Sequence, residues 1–558
     1  MSSHDKAHQW LRLGSTACLS LFAACQTLQA DLPPQAASDQ TAVRQEFIAA
    51  MHRISLHTSE PPDSLALQAY PIHDYLVAAR LRRDLALMPG AELDATIDAF
   101  LQARAGLPVA RRLRGEWLAS LADRRRWDWF LPRAGDVTDP LLICDRLEGR
   151  LATGDTDGLA AEALVRWSLP QQQPSACDGV FDWLRSQGLL TPALAESRAR
   201  VALAADNPRL ASESAADLPA TQAAPLLQWA QLLTAPKSTL SALASHAATP
   251  VEPDALAAGF DRLSRRDSAA ATALLPPLLA RPDMTPALRI RLRRTAALGA
   301  AYDHDPLALA AFADLPTEAI DDEVHEWRVR AALWGGDYHK ALEWIDQMPP
   351  NLAALPRWRY WRARALEVTA GADASAPLFS DVAGLRDYYG YLAADHLHRG
   401  YSLNARPSLD DEQVQKALAA EPGLIRAREL FECDLPDDAV AEWASTLSGA
   451  APAVKVQAAQ IAARWGWYAQ SIATLAQTGE WDDVRLRYPR PYLSAVTDAS
   501  KVTQLPTDWI LAVMRQESLF RKDAVSRADA RGLLQLLPAT PAAVARRGHH
   551  PRPEHDHQ

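Results

Sequence analysis

Apolar residues recur at helical spacing along most of the chain. From about residue 40 to about residue 480 the sequence is dominated by Ala, Leu, Arg and Glu, and its apolar positions follow a helical period. Short segments marked by proline or glycine, such as "MPPNLAALP" and "AEPG", separate the runs at points where helices are expected to end. The alternating pattern of half-buried strands is not sustained anywhere. The pattern therefore predicts an all-α protein.

Pairs of predicted helices recur as a loose repeat, in which an apolar run and a small residue are followed by Ala. The repeat occupies 329–345 and, 33 residues further on, 362–379, with weaker copies at 428–443 and 462–475. Repeats of this length are typical of stacked helical hairpins, which form an α-solenoid. An irregular all-helical domain is the alternative that the repeat leaves open.

Polar and proline-rich segments divide the chain. "YSLNARPSLDDE" (401–412) indicates a hinge between a superhelical domain over 40–400 and a helical linker domain over 401–496. The two prolines of "RLRYPRPYLSAV" cannot lie inside a helix and mark the next boundary. A last helix is predicted to begin at Thr507, which suits a helix N-terminus.

Composition and charge narrow the classes of partner. The 558 residues carry a formal net charge of -10, with a pI of about 5.9. No basic surface of the kind that binds nucleic acid is therefore expected. Beyond the N-terminus, no stretch reaches the ~18 consecutive apolar residues of a membrane-spanning helix.

Residues 1–30 have the layout of a secretory signal peptide. Lys6 and Arg12 precede an apolar core that is too short and too polar to span a membrane. Cleavage after Ala30 is predicted, and the mature protein is expected in the periplasm. "LFAAC", which ends at Cys25, also resembles a bacterial lipoprotein box, so an outer-membrane lipoprotein anchored through Cys25 remains an alternative.

Three cysteines lie beyond the signal segment. In an exported protein, the isolated pair Cys144 and Cys177 suggests a disulfide, with two unrelated buried thiols as the alternative. Cys433 is then expected to be a buried free thiol.

One glutamate stands on an otherwise apolar face of the last predicted helix. At 3.6 residues per turn, this face comprises Ile510, Val513, Met514 and Glu517. Arg515 and Gln516 point away from it. Desolvation at the edge of such a face favours a protonated carboxyl group, which makes Glu517 a candidate proton donor. A glutamate that only borders the core is the alternative.

Small and polar residues follow this glutamate. Ser518 adjoins it, Ser526 lies further along the chain, and "GLLQLLPAT" supplies Gly532 and Gln535. Small residues, an amide and apolar walls beside an acid suit a groove for a sugar chain. Gln535 lies within an apolar run and must find hydrogen-bond partners, either in substrate hydroxyls or in the backbone.

These residues form a motif set: E-S-x-F from Glu517, A-x-S up to Ser526, and G-L-x-Q-L-x-P-x-T up to Thr540. The set resembles the opening motifs of the soluble lytic transglycosylase family. Upstream segments that resemble the same family are 107–131, the Cys144/Cys177 pair, 358–367, 385–397 and 486–496. The resemblance implies helical repeats that close into a ring or horseshoe carrying a lysozyme-like catalytic domain, of which 500–547 would be the start.

The resemblance also implies roles for individual residues. Glu517 would be the single catalytic acid/base, protonating the oxygen between N-acetylmuramic acid and N-acetylglucosamine and then closing a 1,6-anhydro ring. The substrate's own acetamido group would replace a second carboxylate. Ser518, Ser526 and Gln535 are the expected substrate-binding residues. A monomer that acts on peptidoglycan without metal or cofactor is expected.

Departures from the family pattern carry expectations of their own. Leu534 and Leu537 replace the usual methionines at similar volume. Asp529 stands where the family tends to have Gly, and a positive φ there is accessible to Asp at some cost. Nothing after Thr540 resembles the family's later helices. "GHHPRPEHDHQ" (548–558) has no apolar period, so a truncated catalytic domain with a disordered tail is expected, produced by a frameshift or an early stop.

Two functions therefore remain open. The chain is either an exported peptidoglycan lytic transglycosylase or a non-catalytic periplasmic α-solenoid that binds peptidoglycan or partner proteins. The first follows from the motif around Glu517, and the second from the expected truncation.

Overall fold

A computed structural model describes residues 40–547 of the chain, and its regular elements in this range are helices. The predicted signal peptide with Cys25 and the predicted tail at 548–558 lie outside the described residues. The helices of the first half are α1 Thr41–Ser55, α2 Leu65–Gln68, α3 His73–Leu87, α4 Ala91–Ala103, α5 Pro108–Asp123, α6 Trp127–Phe130, α7 Pro140–Ala152, α8 Leu159–Trp167, α9 Asp178–Ser186, α10 Pro192–Ala204, α11 Pro208–Ala215, α12 Ala220–Thr234, α13 Pro236–Ser245, α14 Pro253–Arg266, α15 Ser268–Leu279 and α16 Pro286–Tyr302.

The second half continues the same architecture. Its helices are α17 Ala308–Ala313, α18 Asp322–Trp334, α19 Tyr338–Asp346, α20 Pro350–Ala353, α21 Pro356–Ala370, α22 Ala372–Ala383, α23 Tyr388–His396, α24 Glu412–Ala420, α25 Pro422–Glu432, α26 Pro436–Thr446, α27 Pro452–Arg464, α28 Tyr468–Leu475, α29 Val484–Arg487, α30 Leu493–Thr503, α31 Thr507–Ser518 and α32 Ala539–Arg547. Among the described helices, none combines the length and apolarity of a membrane span.

The four predicted hairpins are present. They are α18 with α19, α21 with α22, α25 with α26, and α27 with α28. Many helices begin at a proline, which suits the first helical position because it has no N–H group to leave unpaired. Side chains such as Asp139, Thr191 and Asp321 accept hydrogen bonds from first-turn N–H groups. These signals end and restart the helices within a few residues, and the prediction of an all-α solenoid is confirmed.

The two ends of the solenoid pack together and close it into a ring. Helices α1, α3 and α5 share an apolar core with α25, α26 and α27, in which Phe47 and Trp443 are buried. The Arg44 guanidinium donates to the Glu429 carboxylate at 2.8 Å. The Tyr75 hydroxyl donates to Glu442 at 2.7 Å across 367 residues of sequence. Of the ring and the horseshoe that the sequence left open, the contacts support the ring.

The segment predicted as a hinge is bound to its neighbours. Residues 401–411 contain no helix. The Arg406 amide donates to the Asp482 carbonyl at 2.9 Å, and the Ser408 amide donates to the Asp483 carboxylate at 2.8 Å. Arg386 donates to the Trp481 carbonyl at 2.6 Å. These bonds fasten the irregular segment to the helices that precede the C-terminal unit.

A disulfide joins Cys144 in α7 to Cys177 in the 3-10 turn before α9, with 33 residues of sequence separation. Cys433 is a buried free thiol, and burial raises its pKa to about 11. The Tyr70 hydroxyl lies 3.8 Å from its sulfur.

Replacing both Cys144 and Cys177 by Ser is expected to lower the free energy of unfolding by about 3–4 kcal/mol, because the bond restricts the unfolded chain. Denaturant unfolding with and without reductant measures the effect: reductant should destabilise the natural protein and leave the double variant unchanged. Reaction of both Cys144 and Cys177 with a thiol-specific label, in protein that is unfolded without reductant, would contradict the disulfide.

Candidate active site

Helix α31 carries the candidate acid and docks against the ring. It begins at Thr507, as predicted, and follows Pro506. Its buried residues are Leu511, Met514 and Ser518. The first two pack with Ile472 of α28 and Val496 of α30. These contacts give the last helices of the described chain a defined position beside α28.

Glu517 lies at the C-terminal end of α31 with its side chain exposed. The predicted apolar stripe is right only in part: Met514 is buried and Ile510 packs beside it. The buried stripe is shifted to Leu511, Met514 and Ser518, and Val513 is 37% exposed. Glu517 therefore flanks the buried stripe, and its side chain is exposed to solvent. A substrate can approach this carboxylate directly.

Arg515, predicted to point away from the face that carries Glu517, contacts the α29 segment. Its guanidinium lies 4.5 Å from the centre of the Tyr488 ring, and its Nε donates to the Arg487 carbonyl oxygen at 2.7 Å. Stacking and a hydrogen bond together fix the side chain. Arg515 thereby anchors the end of α31 to the α29 segment, a role that helical periodicity alone does not reveal.

Ser518 is buried, in contrast to the predicted sugar contact. Its Oγ lies 3.0 Å from the carbonyl oxygens of both Met514 and Leu533, which share its single hydroxyl proton. The serine thus ties the end of α31 to the loop that carries Gln535. Its place next to Glu517 makes it a positioning residue for the acid.

The backbone immediately after the acid is in an uncommon conformation. Leu519 and Phe520 have φ values of 51° and 67°, in the left-handed region. Side chains other than glycine adopt this region at a cost of about 1–2 kcal/mol per residue. Burial of Phe520 and the hydrogen bond from its amide to the Met514 carbonyl, at 3.4 Å, hold the turn. Strain held by packing at such a position is typical of functional sites.

Ser526 and Gln535 belong to one hydrogen-bonded loop, residues 521–538. The Ser526 hydroxyl oxygen accepts from the amides of Ala528 and Ala530 at 3.2 and 3.0 Å, and the side chain is exposed. The Gln535 amide nitrogen donates to the carbonyls of Ala524 and Gly532, both at 3.0 Å. Gln535 is half-buried, and the loop backbone supplies the partners that its amide was predicted to need.

The structure connects the predicted residues through this loop. Ser518 binds Leu533, Gln535 binds Ala524, and the Gly532 amide donates to the Ala524 carbonyl at 2.8 Å. Glu517 and Ser526 are exposed at the two ends of this network. The unit offers a carboxylate for proton transfer, together with a hydroxyl that retains its proton as a donor. Within residues 40–547, no group of three His, Cys, Asp or Glu side chains is arranged to hold a metal.

Asp529 has a φ of 63°, as expected for a position where glycine is usual. Its carboxylate accepts a hydrogen bond from Arg531 at 2.9 Å in an exposed ion pair, which contributes little to stability.

Asp529→Ala is expected to be about 1–2 kcal/mol less stable than Asp529→Gly, because only Ala is strained there. Thermal unfolding and proteolysis within 521–538 measure the difference. The control is Asp498, inside α30, where Asp498→Gly should be about 1 kcal/mol less stable than Asp498→Ala, the opposite order. Equal stability of the two Asp529 variants would contradict the strain.

Two family models match the C-terminal part of the chain. The soluble lytic murein transglycosylase L domain matches residues 417–484, and the transglycosylase SLT domain matches 494–557. The second range contains Glu517, Ser526 and Gln535. It also extends beyond residue 547, where the sequence resemblance was expected to stop.

Whole-chain comparisons point the same way. The soluble lytic murein transglycosylases of Salmonella typhimurium and Escherichia coli K12 are 27% and 26% identical over 484 and 483 residues, which is 85% of this chain and 73% of each relative. An inactive Glu-to-Gln mutant of the lytic transglycosylase Slt from Pseudomonas aeruginosa has 28% identity and a TM-score of 0.69, covering 91% of this chain and 82% of that one. The 70-kDa soluble lytic transglycosylase of Escherichia coli, at 23% identity and a TM-score of 0.76 over 92% and 83%, shares the fold.

Proposed function

This chain belongs to the soluble lytic murein transglycosylase family, and we propose from that premise that it cleaves murein glycan strands with formation of 1,6-anhydro-N-acetylmuramic acid. The observation that carries the proposal is Glu517. It is a solvent-accessible carboxylate at the end of α31, inside the matched transglycosylase domain, and the backbone that follows it is held by Ser518 and the strained turn. Inactivation of a relative by one Glu-to-Gln change supports a single essential glutamate.

One carboxylate can serve both steps of this reaction. Glu517 first donates a proton to the glycosidic oxygen, so that N-acetylglucosamine leaves. The substrate's 2-acetamido group then stabilises the muramyl C1 in place of a second carboxylate. Glu517, now ionised, takes the proton from the C6 hydroxyl, and that oxygen attacks C1 and closes the anhydro ring. Ser526 and Gln535 bind the sugars: the serine donates its hydroxyl proton, and the Gln535 carbonyl oxygen accepts from a sugar hydroxyl.

The protein acts outside the cytoplasm in this proposal. Support comes from the signal layout of residues 1–30 and from the disulfide between Cys144 and Cys177, which suits an oxidising compartment. A monomer is expected, either free in the periplasm or attached to the outer membrane through Cys25.

A second candidate function is binding of murein without cleavage. The open face around Glu517 favours it, because Trp509, at 58% exposure, and Val513 leave one side of the helix uncovered. General acid catalysis is most effective when the acid is screened from water, and an uncovered groove weakens it.

Incubation with purified murein sacculi separates the two candidates. After centrifugation, protein that sediments with the sacculi reports binding, and muropeptides in the supernatant report cleavage. The proposed function predicts both signals. Binding without soluble product would favour the non-catalytic candidate and overturn the enzymatic one.

A further inference from the structure

A cleft of about 390 Å³ lies away from α31, between helices α8, α9, α10 and α11 of the ring. Its floor is apolar and consists of the buried side chains of Trp167, Phe181 and Leu210. Clefts of this size accommodate small ligands. The walls around the apolar floor are mostly polar and charged, so a polar ligand fits this cleft better than an apolar one.

Arg198 is the unusual residue of this cleft. Its guanidinium lies 4.4 Å from the centre of the Trp167 ring, which it covers. Its Nε is buried without a hydrogen-bond partner among the described residues, while the side chain as a whole is half-buried. The other arginine of the cleft, Arg185, donates to Asp182 at 2.5 Å. Burial lowers the pKa of Arg198, an effect that nearby Glu213 opposes.

The Nε–H group of Arg198 is buried without a partner, and such a group costs free energy that a ligand can recover. Its planar fork and its fixed position over an aromatic ring favour a carboxylate. The opposite charge is also present, because Asp178 and Asp217 line the cleft and the buried Gln173 Oε1 accepts no hydrogen bond from the described residues. The cleft thus offers partners for an anionic group and for a cationic or N–H group at the same time.

The disulfide holds one wall of this cleft. Cys177 immediately precedes Asp178, and its bond to Cys144 fixes the start of α9 against α7. The start of α9, and with it Asp178, is therefore held against α7 before any ligand arrives, which lowers the cost of binding.

We propose that this cleft binds a short zwitterionic peptide, of the kind that the peptide side chains of murein provide, with a ligand carboxylate on Arg198 and a ligand ammonium group on Asp178 and Asp217. The choice of murein peptide rests on the proposed function. A site on the ring for the peptide part of the substrate would hold the strand at a second point, remote from Glu517.

Calorimetric titration of the full chain with the free tripeptide Ala-γ-Glu-diaminopimelate tests the proposal. The tripeptide is expected to bind, and amidation of its carboxylates or acetylation of its amines is expected to weaken binding about 10- to 100-fold. Arg198→Ala should weaken binding to a similar degree. Arg185→Ala, which removes the arginine already paired within the cleft, should change the affinity less than about 3-fold.

Absence of tripeptide binding, or equal affinity for the amidated peptide, would overturn the proposal. So would full affinity in folded Arg198→Ala protein; if that variant does not fold, the amidated peptide on the natural protein decides. The tripeptide contains no glycosidic bond, so its binding is independent of turnover. A chain that binds the peptide but releases no muropeptides would contradict the proposed function alone.

Discussion

Glu517→Gln is expected to lower the rate of muropeptide release by at least about 1,000-fold, with murein binding unchanged. General acid or base catalysis by one group contributes about 10²–10⁴-fold, and in the proposed mechanism the same carboxylate serves both steps. Glutamine keeps the shape of the side chain but neither donates nor accepts the required proton. Release of soluble product from sacculi, measured as an initial rate, gives the effect.

Glu480→Gln is the matched control, because this glutamate is also exposed and lies in the loop between α28 and α29. Its rate of release should match that of the natural protein. Both variants should have the same unfolding temperature as the natural protein, since neither side chain is buried. Activity retained in Glu517→Gln would rule out the assigned role.

Glu442→Ala is expected to destabilise the ring by about 3–5 kcal/mol, the usual cost of removing one partner from a buried ion pair. The Glu442 side chain is 1% exposed. It accepts two hydrogen bonds of 2.9 Å from Arg426 and one of 2.7 Å from Tyr75. Truncation leaves a guanidinium and a phenol without partners at the junction where α3 meets α25 and α26. Denaturant unfolding measures the loss, and small-angle scattering detects any opening of the ring.

The control for this substitution is Glu343→Ala on α19. Glu343 forms an exposed pair with Lys340 at 2.8 Å, so its loss should cost less than about 1 kcal/mol. Equal destabilisation by both substitutions would contradict the role of Glu442 in closing the ring.

The helical hairpins of the ring could be predicted from the sequence because their signal is local. Helical periodicity, prolines at helix starts and capping side chains all act within a few residues of the structure that they determine. The start of α31 at Thr507 was predictable for the same reason. The left-handed backbone at Asp529 was suggested only by the resemblance to a family that tends to have Gly at this position.

Contacts between distant parts of the chain could not be predicted in this way. The bond between Tyr75 and Glu442 depends on the curvature of the whole solenoid. The register of α31 was misjudged because its buried stripe is set by packing against Ile472, which lies on another helix. Val513 fits the helical period of the predicted apolar face, but it lies outside the stripe that is buried in the structure. Ser518 was assigned to the substrate for a related reason, since only its contact with Leu533 reveals that it faces inward.

The reaction in oxygen-18-labelled water tests the central claim most directly. Muropeptides released from sacculi by the natural protein are predicted to lack a reducing end, to be lighter by one water than the hydrolysis products, and to carry no label, because the muramyl C6 oxygen attacks in place of water. Labelled products with reducing ends, or no soluble product from murein to which the protein binds, would contradict the assignment of this chain as a lytic transglycosylase acting through Glu517.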